Sequence, residues 1–172
     1  MKLLLPKRQT QRALLAAGLI AASAAAFAAT TTTTFQVTAS VAAQCSVTAN
    51  NLAFGAVDPL GANVDQTTTV SVKCTKNSPY TVGLNAGTTT GATIAQRKMA
   101  NGADTMDYNL FTDAGRSTIW GNSAVSPTWV SGTGAGMGTA QVLTVFGRVP
   151  TGQTNLAVGS YAESTITVTV TY

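Results

Sequence analysis

The chain has 172 residues, with 10 Lys and Arg against 6 Asp and Glu, a formal charge of +4, two Cys and no His. Four of the ten cations lie within the first 12 residues, so the rest of the chain carries six charges of each sign. That balance excludes an electrostatic case for nucleic acid or an anionic membrane as partner, and the missing imidazole excludes most acid–base and zinc chemistry.

Taken in order, residues 1–28 read as a signal peptide. Lys2, Lys7, Arg8 and Arg12 form a positive head, residues 13–26 an uncharged and mostly apolar stretch, and Ala26-Phe27-Ala28 a small-x-small cleavage pattern, which places the cut after Ala28. About 14 apolar residues fall short of the roughly 20 that span a bilayer, so no membrane insertion is expected. The 144 residues that follow suffice for one domain with a real core.

The threonines at 30–34 read as a flexible leader, too polar to fold alone. Period-two alternation then begins. Across residues 35–45, Phe35, Val37, Ala39, Val41 and Ala43 alternate with polar neighbours, which predicts a strand with two unlike faces. In 67–74, Val70, Val72 and Cys74 share one side, turning Cys74 into the core. Further strands are predicted at 80–85, 108–112, 141–149 and 164–172, separated by clusters of Gly, Asn, Asp, Pro and Ser. Convincing helical periodicity is absent. Many short strands with turn signals between them predict an all-β, two-sheet sandwich.

Cys45 and Cys74 allow one intrachain disulfide, and export sends them to an oxidising compartment. The loop it closes is about 30 residues long, for which chain entropy suggests roughly 3 to 4 kcal/mol of stabilisation. The one acidic cluster, Asp104, Asp107 and Asp113, reads as turn chemistry, because its spacing matches no calcium loop and no carboxylate pair for hydrolysis. Trp120 and Trp129 flank a Pro-containing turn and read as plugs of the sandwich edge, with ligand stacking as the alternative. The Gly-rich stretch 131–138 reads as a flexible loop, since it lacks dinucleotide-fingerprint spacing. No serine has a His or evident Lys to activate it. No enzyme and no cofactor are expected.

Several pieces in order resemble the spore coat protein U domain family, which includes subunits of archaic, Csu-type chaperone–usher pili. They are the alternating segment leading into Cys45, LAFGAVDP (52–59), VSVKCTKNSPYTVGLNAG (70–87), YNLFTDAGRSTIWG (108–121), VFGRVPTGQ (145–153) and GSYAESTITVTVTY (159–172). The resemblance implies an incomplete immunoglobulin-like, pilin-type sandwich over 45–172 that lacks one strand, behind an N-terminal donor extension at 29–44. A periplasmic chaperone is then expected to fill the open groove first, and the extension of another copy or a related pilus subunit to replace it at an outer-membrane usher. Phe35, Val37, Ala39, Val41 and Ala43 are the expected donor residues. The protein would pass through the periplasm to the cell surface as a pilus subunit supporting adhesion or biofilm formation. A secreted, self-contained β-sandwich binding module or coat or matrix protein is the competing expectation.

Overall fold

The computed structural model describes residues 28–172; the expected signal peptide lies outside them except for its last residue. The chain divides into two units, 1–39 and 40–172. In the first, residues 28–39 are exposed and carry no helix, strand or turn. The second is all β.

Its eight strands are β1 Cys45–Ala49, β2 Val64–Cys74, β3 Pro79–Leu84, β4 Arg97–Asn101, β5 Asp104–Phe111, β6 Val130–Thr133, β7 Gln141–Val149 and β8 Val168–Thr171. They form a five-stranded sheet in the order β1-β2-β7-β5-β4 and a three-stranded sheet in the order β6-β3-β8, with every pairing antiparallel. The alternating positions that face inward make the core. They are Val70, Val72 and Cys74 of β2, Tyr80, Val82 and Leu84 of β3, Met106, Tyr108 and Leu110 of β5, and Val145 and Val149 of β7. Period-two patterning placed Val70, Val72 and Cys74 on this face, because one face of each strand must leave water, while Met106 lies outside the strand expected over 108–112.

Three expectations need correction. The strand over 35–45 is absent from the chain by itself: pairing begins only at Gln44, whose carbonyl accepts from Thr75 N at 2.9 Å, and β1 follows from Cys45. Alternation selects side chains for two faces, but a strand also needs a neighbour for its backbone groups. The strand expected over 164–172 is reduced to Val168–Thr171, because beyond Leu84 one backbone bond, Asn85 N to Thr167 O at 3.2 Å, remains and the Asn85 side chain replaces the ladder, accepting from Thr167 N and donating to Thr165 O. The expected flexible loop at 131–138 is strand in its first three residues, within β6. There Gly132 faces Tyr80 across the ladder, where a Cβ would collide with the ring, so the glycine serves close packing within a strand.

Candidate functional site

The sandwich is open along one side. Residues 50–57 form one wall and 156–167 the other; neither belongs to a strand. Two cavities of about 470 and 670 Å³ lie between them and adjoin at Leu52, Phe54, Met99 and Glu163, which line both, and we refer to the pair as the groove. The floor is apolar, with Val70, Leu84, Tyr108 and Val145 toward β1 and Met106 toward the other end. Beside the groove runs β8, which pairs with β3 on one edge and has no strand on its other edge among the described residues. Val168 and Val170 are half-buried on its inward face. A sheet edge with free N–H and C=O groups next to an apolar trench is a template for an added strand.

The walls are held by specific contacts. Gly147 of β7 has no side chain, and Leu52 and Phe54 occupy the space a Cβ would need. Phe54 also meets Tyr108 edge-on, with ring centroids 6.0 Å apart. On the opposite wall, Glu163 accepts from Thr88 N at 3.1 Å, Thr89 N at 2.9 Å and Thr89 Oγ1 at 2.7 Å through one oxygen, and from Thr165 N at 2.8 Å through the other. Partial burial pushes its pKa up, but the hydrogen bonds from Thr165 and Thr89 together outweigh that and bring it down to about 2. Glu163 thus ties the wall to the turn after β3.

Beneath the floor lies Arg97, fully buried and without a carboxylate partner. Its guanidinium donates to Asn85 O at 2.8 Å, Leu84 O at 3.0 Å, Trp120 O at 2.7 Å and Asn109 Oδ1 at 2.6 Å. Desolvation lowers its pKa to about 10, and burial raises the adjacent Tyr108 to about 12. Nothing in the spacing of residues 97–101 marks this arginine as buried; only the fold makes it the joint between β3, β4, β5 and Trp120.

Among the expected donor residues, Phe35, Val37 and Val41 are 86, 81 and 84% exposed, and Ala39 and Ala43 are also exposed. Cys45 and Cys74 form the disulfide, at facing positions of β1 and β2. The acidic trio does not converge. Asp113 caps the turn it was assigned to, accepting from Thr118 N at 2.7 Å, whereas Asp104 and Asp107 stand in β5, where Asp107 pairs with Lys98. Among the described residues no group of three His, Cys, Asp or Glu side chains could hold a metal. Trp120 is a core residue, buried with its Nε1 donating to Val82 O at 2.8 Å, and Trp129 is half-buried.

Residues 31–171 match the Spore Coat Protein U domain. Protein U of Myxococcus xanthus is 33% identical over 153 residues, covering 78% of this chain and 80% of that protein. Among solved structures, the chain resembles one from the pre-assembly complex of the chaperone CsuC and the tip adhesion subunit CsuE of archaic chaperone–usher Csu pili from Acinetobacter baumannii. The TM-score is 0.55 at 22% identity, over 77% of this chain but only 40% of that one. At that identity the likeness shows a common fold.

Proposed function

The chain belongs to the Spore Coat Protein U domain family, and from that premise we propose that it is an exported subunit of a surface fibre which polymerises by donating a strand to the next copy. The family and fold are structural, and the chain is not an enzyme. The observation that carries the reading is a complementarity within one sequence: an open apolar groove beside the unpaired edge of β8, and an exposed, alternating segment with no strand partner of its own, bonded to the domain through Thr75 Oγ1 to Ala42 O at 3.4 Å. Strand addition solves both at once. It supplies the backbone partners that β8 and the extension lack, and it buries Phe35, Val37 and Val41, each contributing about 1.5 to 3 kcal/mol when fully removed from water.

At about 3.3 Å per residue, the stretch 35–43 extends roughly 30 Å, the length of a strand running along a sandwich. Before assembly the same groove requires a temporary cover, because a long apolar trench beside a free edge aggregates. A periplasmic chaperone supplying a strand meets that need, and the Csu neighbour is itself a chaperone–subunit complex. An outer-membrane usher would then exchange the chaperone for the extension of the incoming copy, carrying the fibre to the cell surface, where it supports adhesion or biofilm formation.

Deleting residues 30–43 tests this. The truncated chain should fold, form its disulfide and bind a cognate chaperone, yet give no ladder of oligomers in unboiled gels and no fibres in electron micrographs. Normal fibres from the deletion would favour a self-contained binding module instead.

A further inference from the structure

Residues 28–172 contain six acidic and six basic side chains. Most are internally committed. Asp65 pairs with Arg116 and Arg148, Lys98 with Asp107, Arg97 is buried, and Asp113 and Glu163 cap backbone N–H groups. Lys73, Lys76, Asp58 and Asp104 remain, all exposed and all without an ion-pair partner among the described residues, although Asp58 Oδ1 also accepts from Leu60 N at 2.9 Å.

These four are sorted by sign along the domain. Lys73 and Lys76 bracket Cys74 at the end of β2, where Cys45 and Gln44 enter the fold. Asp58 lies in the turn before β2, which begins where Val64 faces Val149. Asp104 opens β5 beyond the Asn109–Arg148 pair, at that same opposite end. One end is cationic and the other anionic.

We infer that these two ends are the two halves of a head-to-tail contact between copies, the Lys73–Lys76 end of one copy docking on the Asp58–Asp104 end of the next. The inference rests on the strand-donation reading and adds the surface that accompanies it. Chain connectivity supplies the reason. The last donor residue is Ala43, and Gln44 is already fixed to its own domain, donating to Thr75 Oγ1 at 3.0 Å and accepting from Thr75 N at 2.9 Å. No linker separates the two, so wherever Ala43 ends in the groove of one copy, the Cys45 end of the donating copy must abut.

The direction follows from the fold. A donor antiparallel to β8 starts beside Thr171, which faces Thr81 near the cationic end, and finishes beside the 156–163 wall. It therefore brings cationic end against anionic end. A parallel donor would set Lys73 and Lys76 of two copies against each other, at the end where each copy's own extension leaves. Apolar side chains reinforce the antiparallel choice: Leu60 and Val158 protrude at the anionic end, 83% and fully exposed, and Met137 is exposed on the loop whose Gly136 N donates to Cys74 O at the cationic end. A contact between two unlike patches is heterologous and propagates as an open filament wherever its rotation does not close a ring.

Charge reversal on the full-length chain tests the pairing, read as the rate at which oligomer ladders grow. Either Lys73→Glu with Lys76→Glu, or Asp58→Lys with Asp104→Lys, should slow growth at low salt by at least about tenfold, and the fourfold reversal should restore it. The unmodified chain should itself slow as salt rises, since screening reaches about 10 Å at 0.1 M. Lys73 and Lys76 are exposed and make no side-chain hydrogen bond among the described residues, so their reversal should leave the melting temperature unchanged, whereas Asp58→Lys also removes the bond from Leu60 N, and its own melting temperature is the control for that loss. Growth by both pairwise reversals at the unmodified rate, or an unmodified chain indifferent to salt, overturns the contact; if deletion of residues 30–43 still abolishes growth, strand donation survives. Growth that persists in the deletion overturns both.

Discussion

Two buried or half-buried charges show how single residues set the shape of the groove. Arg97 has been taken out of water without a counter-ion, a state that is tolerable only because carbonyls of Leu84, Asn85 and Trp120 and the side chain of Asn109 surround its guanidinium. Those same carbonyls would be left unpaired by truncation, so the arginine fixes the end of β3 under the groove floor. Glu163 does the corresponding work for the wall. Its pKa in the folded chain, about 2, lies below the ordinary value of 4.5. A lowered carboxylate pKa contributes stability that is fully present above the unfolded value and is lost as pH falls toward the folded one. Denaturation of the full chain and of Glu163→Gln should therefore differ most above about pH 5 and converge as pH approaches about 2. A gap that stays constant over that range would mean that Glu163 acts by packing and not by charge.

At the scale of the element, the N-terminal segment and β8 present the same problem from two sides. Each has alternating faces, and each lacks a backbone neighbour on at least one edge. If 35–43 becomes a strand in a second copy, its two faces are unequal: Phe35, Val37, Ala39, Val41 and Ala43 turn into the groove while Gln36, Thr38 and Ser40 turn out. Val37→Asp or Val41→Asp should then weaken assembly by several kcal/mol, because a carboxylate forced into an apolar trench loses hydration without a partner. Thr38→Asp should be tolerated. Ladder yield in unboiled gels compares the three variants directly, and equal damage from Val37→Asp and Thr38→Asp would reverse the assigned facing. In that arrangement the small Ala39 and Ala43 would face a trench lined by bulky residues, among them Phe54, Met99 and Tyr108.

For the whole molecule, an open sandwich is one that has not buried all the apolar surface it could. A ligand that binds only the folded state stabilises it by mass action, about 2.7 kcal/mol at a hundredfold excess over Kd. A synthetic peptide of residues 30–44, added to the chain lacking 30–43, should raise its melting temperature in a concentration-dependent way. The Val37→Asp peptide should do so far less. An unchanged melting temperature at saturating wild-type peptide would show that the groove does not take this segment.

Much of this architecture was legible in the residues. β7 was placed residue for residue by its alternation, and β2, β3 and β5 were placed in their cores, because burying one face of a strand leaves a period-two trace whatever the partner. The disulfide between Cys45 and Cys74 followed from there being two cysteines in an exported chain. β1, β4 and β6 were not found: the strand expected over 35–45 meets β1 only at Cys45, RKMAN places a charged residue at a buried position, and VSGT uses a glycine to admit the Tyr80 ring. The groove, the unpaired edge of β8, the burial of Arg97 and the sorting of free charges to opposite ends were likewise settled by tertiary structure. A sequence records which side each residue shows to its immediate surroundings; which backbone edge is left without a partner, and which charges remain unspent at each end, depend on residues tens of positions apart being brought to the same place.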